Sequence, residues 1–291
     1  MGGTHLTTDL STIRQIRLGD ELRALRLEQN KKLLEVTSGL EGWSAARLSK
    51  MERAEQPVGP KDLATLLDYY GVTGADREYF ENLLGSGPTR QWWRNLDYAE
   101  AITPAFAEYL ALEAEASHML NYFPAGFPGL VQTEGYAKEM IAAGLDSPNE
   151  ERVEAGAEVR ILRQRRLTER PTLTLEAYFG EVALLIAGDE SIMVEQLRHA
   201  IKVAQFPNVT LRMVPLSAGR PGILSSGLTL LRFPDDTENG FVFIEAVGGM
   251  LPRRTGRDVR RAERAISRVK QNSLSPEDTI AALERKLEEL T

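Results

Sequence analysis

The sequence predicts an all-α head of short helices followed by a larger mixed α+β body. Three observations predict it. As far as about Val72, apolar residues recur at helical spacing between Gly and Pro breaks. After Pro171, apolar and polar residues alternate as in strands. Between these regions, Gly85-Ser86-Gly87-Pro88 marks a boundary.

In the head, Ile16, Leu18, Leu22, Leu25 and Leu27 suit one face of a first helix. Leu33, Leu34 and Val36 open a short second helix after Asn30. Gly39 and Gly42 punctuate the next turn, and Ser44 is placed to cap a third helix that carries Arg47, Leu48, Lys50 and Met51. Pro57, Gly59 and Pro60 break the chain again. A fourth helix, Asp62 to Tyr70, buries Leu63, Leu66 and Leu67 and stops at Gly71, and a fifth runs from about Gly74 to Leu84. Residues 1–12 are polar, lack periodicity and are expected to fray.

Behind the boundary come Trp92-Trp93 and one long predicted helix, about Pro104 to Phe123. Pro124, Gly126, Pro128 and Gly129 then form a rigid turn segment. Thr133 to Ala143, Glu150 to Thr168 and Glu190 to Ala204 are predicted helices. Leu173 to Ala177, Val209 to Val214, Gly227 to Phe233 and Phe241 to Val247 are predicted strands, the last two joined as a hairpin by Asp235 to Gly240. The C-terminal stretch is helical with a break at Ser275-Pro276. The expected domains are therefore 1–12 flexible, 13–84 head, 85–103 boundary and 104–291 body.

Composition narrows the function classes. The absence of cysteine excludes disulfides and thiolate metal sites. His5, His118 and His199 have no metal-ligand spacing, and no cofactor is expected. The start of the chain lacks the apolar core of a signal peptide, no apolar run is long enough to span a membrane, and a cytoplasmic, nucleoid-associated protein is expected. The net charge of −7 argues against a general nucleic-acid coat protein but leaves room for a small positive module on an acidic body. Glycines at 219, 222, 248 and 249 match no phosphate-binding motif, and Ser225-Ser226-Gly227 makes no nucleophile elbow. No catalytic constellation emerges, so an enzyme is not expected.

The residues from Leu33 to Glu52 supply two short helices around a glycine-containing turn, which is what a major groove can admit. Ser44, Ala45, Ala46, Arg47 and Lys50 are placed on the outward, DNA-facing edge of the second, with Leu48 and Met51 inward. Arg47 suits bidentate contact to guanine; Lys50 and Arg53 suit phosphates, as do Lys31 and Lys32 beside the start of the preceding helix. Between Arg14 and Arg53, nine basic residues face six acidic ones, a local net of +3.

The run Leu18-Gly19, Leu22-Arg23, Leu25-Arg26, then Trp43 through Arg53, resembles the XRE/Cro-type, lambda-repressor-like helix-turn-helix family. The resemblance implies a recognition helix at about 44–53 and double-stranded DNA as partner. It matches Ser49 and Glu52 to structural and phosphate-side positions, and Asp62 to Val72 to the helix that follows. There are two departures: the turn Gly39-Leu40-Glu41-Gly42 is one residue longer than usual, and Leu33 stands where the family commonly has glutamine.

In the body, Phe127-Pro128-Gly129-Leu130-Val131-Gln132-Thr133, followed by Tyr136-Ala137, resembles the signature of the actinobacterial Scr1-like antitoxin or regulator domain (DUF5753). The resemblance implies a sequence-specific regulator, often encoded near a small partner protein, whose ligand is unknown. A packing role and a pocket-lining role are both open for Gln132, Tyr136, Arg160, Arg163 and Glu181, and Arg163 is also placed to pair with Glu181. From Arg253 to Lys270, eight basic residues face two acidic ones. Arg257, Arg260 and Arg261 in that stretch suit a solvated face, an acidic partner or DNA phosphates. Because one short helix reads few bases, a homodimer is expected. The rival reading is an antitoxin-like protein-interaction module in which DNA binding is secondary.

Overall fold

The computed structural model of the 291-residue chain describes residues 13–84, 98, 101–144, 149–169, 173–186, 188–219, 226–233, 236–246, 249–253 and 256–291. The segment 1–12, Trp92-Trp93, most of the boundary 85–103, Gly222, Ser225, Asp235, Gly248 and Arg254 lie outside the described residues. The chain forms two compact units, Met1–Gln91 and Trp92–Thr291.

The described residues of the first unit form helices α1 (Ile13–Glu28), α2 (Leu33–Ser38), α3 (Ala45–Glu52), α4 (Pro60–Tyr70) and α5 (Gly74–Leu84). Each boundary has a local cause. Pro60 opens α4, where a missing N–H costs nothing, and Gly71 closes it at φ 71°. One core joins all five helices through Leu18, Leu22, Val36, Leu48, Met51, Leu63, Leu66, Leu67 and Phe80. The predicted stripe of α1 needs one correction. Leu27 is 54% exposed, while Arg26 is only 8% exposed. The guanidinium turns inward because Glu52 of α3 is buried there to receive it. Backbone spacing is also tight. A Cβ at Gly19 would sit 2.7 Å from the Met51 carbonyl oxygen and 2.9 Å from that of Glu52, so α1 meets the end of α3 with nothing larger than glycine between them.

The described residues of the second unit form a six-stranded mixed sheet in the order β3-β2-β1-β4-β5-β6. Its strands are β1 (His118–Phe123), β2 (Thr174–Gly180), β3 (Val209–Val214), β4 (Leu228–Phe233), β5 (Asp236–Ala246) and β6 (Gly249–Arg253). The first three are parallel, and β4, β5 and β6 run antiparallel to their neighbours. Among the described residues, six α-helices accompany the sheet: α6 (Pro104–Glu115), α7 (Glu134–Ala143), α8 (Glu150–Arg163), α9 (Glu190–Ala204), α10 (Gly256–Gln271) and α11 (Pro276–Leu290).

Several expectations change here. The predicted helix from Pro104 to Phe123 stops at Glu115, Ala116 turns extended, and His118–Phe123 becomes an interior strand of the sheet. Met119, Asn121 and Tyr122 are all buried, so the strand is covered on both faces and its apolar run shows no alternation to betray it. His118 accordingly stands on a strand, 3.2 Å from Glu176, rather than on a helix. The predicted turn Asp235 to Gly240 is mostly strand. Asp236 pairs with Phe233, and the register shifts between Leu231 and Phe233. Strand β6 has no counterpart among the predicted elements. The predicted helix Glu150 to Thr168 ends at Arg163 and tightens into a 3₁₀ turn, Gln164–Leu167.

One sheet face carries Tyr122, Tyr178, Leu228, Leu230 and Val242 against Val259, Ala262, Ile266 and Val269 of α10. The edge strand β3 is protected: Met213 N–H donates to Thr279 Oγ1 at 3.0 Å, and Met213 O accepts from Leu274 N at 2.8 Å.

Candidate functional site

In the first unit, α3 is capped by Ser44, whose backbone is extended and whose side-chain oxygen accepts the Arg47 N–H at 3.2 Å. Beneath the helix, Leu48 and Met51 sit in the core. Glu52 completes that face: its two oxygens accept from Arg26 Nε at 2.6 Å and Nη2 at 2.8 Å, while Arg26 Nη1 donates to Lys31 O at 2.9 Å. One buried guanidinium therefore ties α1, α3 and the approach to α2.

The outward edge is narrower than spacing alone predicts. Ser44, Ala46, Lys50 and Arg53 are exposed; Ala45 and Arg47 are half-buried. Arg47 donates to Asp62 Oδ1 at 2.8 Å and lies 4.7 Å over the Trp43 ring. Arg53 is engaged with Glu55 at 2.8 and 2.9 Å and with Ser49 Oγ. Lys31 rests 4.2 Å over Tyr69. Lys32 is exposed, but its backbone N–H is taken by Glu35 Oε2 at 2.6 Å, so that amide is not free for phosphate. In the turn, Gly42 adopts φ 76°, and Leu40 and Trp43 pack onto the core.

In the second unit, the sheet face opposite α10 borders a cavity of about 420 Å³, also lined by α6, α7, α8 and the Gly129–Gln132 loop. Gln132, Arg160 and Arg163 line it, as do Asn121, Thr229 and Glu245 from β1, β4 and β5. Gln132 is engaged at both ends: Nε2 donates to Phe127 O at 2.5 Å, and Oε1 accepts from Arg160 Nη1 at 2.7 Å. Thr133 caps α7 by accepting the Tyr136 N–H, and Gln196 of α9 clamps the same loop through Thr133 N and Val131 O.

Two of the residues for which a pocket-lining role was open do not line the cavity. Tyr136 is buried edge-on against Phe127, and burial pushes its hydroxyl above the usual range. Glu181 accepts the Leu216 N–H at 2.7 Å. Its expected pairing with Arg163 is not formed. Arg163 instead donates to Glu113 at 2.8 and 2.6 Å and to the Tyr109 hydroxyl at 2.9 Å, and that hydroxyl donates to Glu113 at 2.6 Å. Burial opposes the charge on Arg163, but the Glu113 carboxylate outweighs it and holds the guanidinium charged. Arg160 has no such carboxylate, and burial followed by the neighbouring Arg163 pulls it down to about 10. Burial raises the Glu245 carboxyl above the usual range.

Sequence reasoning missed Glu113, Asn121, Thr229 and Glu245. A signal existed for two of them: Glu113 and Asn121 are polar residues inside apolar stretches, where a buried partner is the ordinary reason for their presence.

Residues 106–285 match the family model described as Domain of unknown function (DUF5753). The chain belongs to this family. Residues 17–80 match a helix-turn-helix domain, which suggests a DNA-binding regulatory role. The DUF5753 span contains every cavity-lining residue except Ala101 and Thr103. No curated protein and no solved structure matches the chain. Among the described residues, no helix is long and apolar enough to cross a membrane.

On α10, Arg257, Arg260, Arg261, Arg264 and Arg268 are all exposed, on the side away from Val259, Ala262 and Ile266. None of the five makes an ion pair with a described residue.

Proposed function

We propose that this protein is a sequence-specific transcription regulator of the XRE type, with residues 13–84 as its reading head and the DUF5753 body as the part that receives a control signal. The observation that carries the reading is the setting of α3. It is capped at Ser44, held from below by Leu48, Met51 and the Arg26–Glu52 pair, and left open along Ala46, Lys50 and Arg53. A helix so fixed can enter a major groove as a rigid body. Lys50 and Arg53 then meet phosphates, and Arg47 reaches base edges once it leaves Asp62. Lys31 and Lys32 flank the same approach. The proposal includes a homodimer reading paired half-sites and an actinobacterial, Scr1-like kinship with a small partner protein encoded nearby.

The test is binding of the purified chain to its own promoter fragment and to scrambled DNA at physiological salt. Specific binding about 10³-fold tighter supports the reading. Changing Lys50 to alanine should weaken all sequences alike and lower the salt slope by about 1. No preference for the promoter fragment overturns it.

The arginine face of α10 favours a second reading, an antitoxin-like module that docks an acidic protein. Changing Arg257, Arg260 and Arg261 together to alanine separates the two. An unchanged salt slope for DNA with lost partner binding assigns the face to the partner; a shallower slope assigns it to DNA.

A further inference from the structure

We propose that the cavity of the body is a binding site for a small, largely apolar carboxylic acid, whose carboxylate is received by Arg160. The proposal deepens the reading of the body as the receiver of a signal. Its test reads binding alone, so it stands or falls separately from DNA recognition.

The argument is an accounting of the polar groups in the wall. Arg163 already has a carboxylate, since Nε and Nη2 donate to Glu113 and Nη2 also to Tyr109, and Gln132 is engaged by Phe127 and Arg160. The amide nitrogen of Asn121 is spent on Thr229 Oγ1 at 2.8 Å. Arg160 is different. A guanidinium carries five N–H donors, and among the described residues its one hydrogen bond goes to the neutral oxygen of Gln132. Glu245 on the facing strand is within electrostatic reach but forms no ion pair with it, and the Glu245 side chain makes no hydrogen bond to a described residue. Desolvation disfavours the charged form of both groups, lowering the Arg160 guanidinium and raising the Glu245 carboxyl. Arg160 is half-buried at the cavity wall with a single neutral partner, and a bidentate carboxylate is the natural complement of such a guanidinium.

The sign of the ligand follows from the same residues. Arg152, Arg160 and Arg163 line the cavity against Glu245, and Glu113 offsets Arg163 from behind, which leaves one positive charge in excess. Much of the remaining wall is apolar, with Phe106, Met119, Phe123, Met140, Ile141 and Met250. Aromatic and thioether side chains of this kind accept a flat or irregular hydrocarbon rather than a free inorganic anion. The volume lies within the range of small-molecule sites, roughly 300–1,000 Å³.

The experiment is calorimetric titration of the full chain with three probes of one shape: 1-naphthaleneacetate, its neutral amide, and the cationic 1-naphthylmethylamine. The acid should bind about tenfold tighter than the amide, and the amine least. Arg160→Gln should erase the preference for the acid over the amide. Met140→Trp fills the cavity without touching Arg160 and should abolish binding of the acid, which keeps the test decisive if Arg160→Gln does not fold. Equal binding of acid and amide, preference for the amine, no binding of any probe at millimolar concentration, or binding of the acid undiminished in Met140→Trp overturns the proposal.

Discussion

Among the described residues, each unit buries one bidentate arginine–glutamate pair, and the two are set very differently. In the head, Arg26 and Glu52 are enclosed by a continuous core, and the third guanidinium nitrogen ends on Lys31 O. In the body, Arg163 and Glu113 are equally buried, but the pair stands in a cavity wall beside a second guanidinium, Arg160, that lacks a carboxylate. The same two side chains thus do separate things. The head pair fixes one helix against another. The body pair neutralises Arg163 and leaves the neighbouring Arg160 facing open volume. A buried ion pair is weak evidence of net stability, yet it is strong evidence of fixed position, because either partner left alone is heavily penalised.

The largest expected effect tests whether the pairs are independent. Glu52→Gln and Glu113→Gln should each cost about 3–5 kcal/mol, since each strands a buried guanidinium. Hydrogen exchange read by mass spectrometry should show Glu52→Gln loosening α1 to α5 and Glu113→Gln loosening α6, α8 and the neighbouring strands. A variant that loosens both units breaks the comparison.

Next is Gly19→Ala. Its new methyl meets backbone oxygens of Met51 and Glu52 that cannot rotate away, so we expect a loss of about 1–3 kcal/mol in urea denaturation of the head. An alanine tolerated without loss would show that α1 and α3 can slide, and that the ion pair alone sets their spacing. Ser44→Ala removes only the cap of α3 and should cost about 1 kcal/mol by the same measurement, with Leu48 and Met51 still packed.

The smallest effect is one of pH and belongs to the body. His118, with Lys270 and Tyr178 and against a penalty from burial, holds the Glu176 carboxyl down to about 2. A carboxylate depressed on folding stabilises above its unfolded value and loses that contribution as pH falls towards about 2. With one partner an exposed lysine, the effect should be below about 1 kcal/mol after solvent screening. Acid denaturation of Glu176→Gln should lack the loss that the parent shows from about pH 4.5 downward. Identical acid profiles would remove Glu176 from the account.

The head was more legible than the body. Its helices are short, local and punctuated, so Ser44, Pro60 and Gly71 announce ends that depend on nearby backbone alone. The exception, Arg26 in place of Leu27 on the inner face, arises because periodicity counts apolar residues and an ion-paired arginine is buried for another reason. In the body, α9 and β3 were legible from amphipathic spacing and alternation. Strand β1 was not, because a strand covered on both faces shares its apolar run with a buried helix, and only pairing with β2 and β4 separates them.

The sequence by itself determined the order of head and body, the short-helix character of the head, the inward turn of Leu48 and Met51, and the cap at Ser44. All of these rest on interactions within a few residues of chain. Only the tertiary structure decided that Arg26 meets Glu52, that Arg163 meets Glu113 rather than Glu181, and that Arg160 faces a cavity without a carboxylate partner. Those choices join residues dozens of positions apart. They are fixed by which buried charge finds a complement when the helices and sheet close, a quantity that spacing along one strand or helix does not contain.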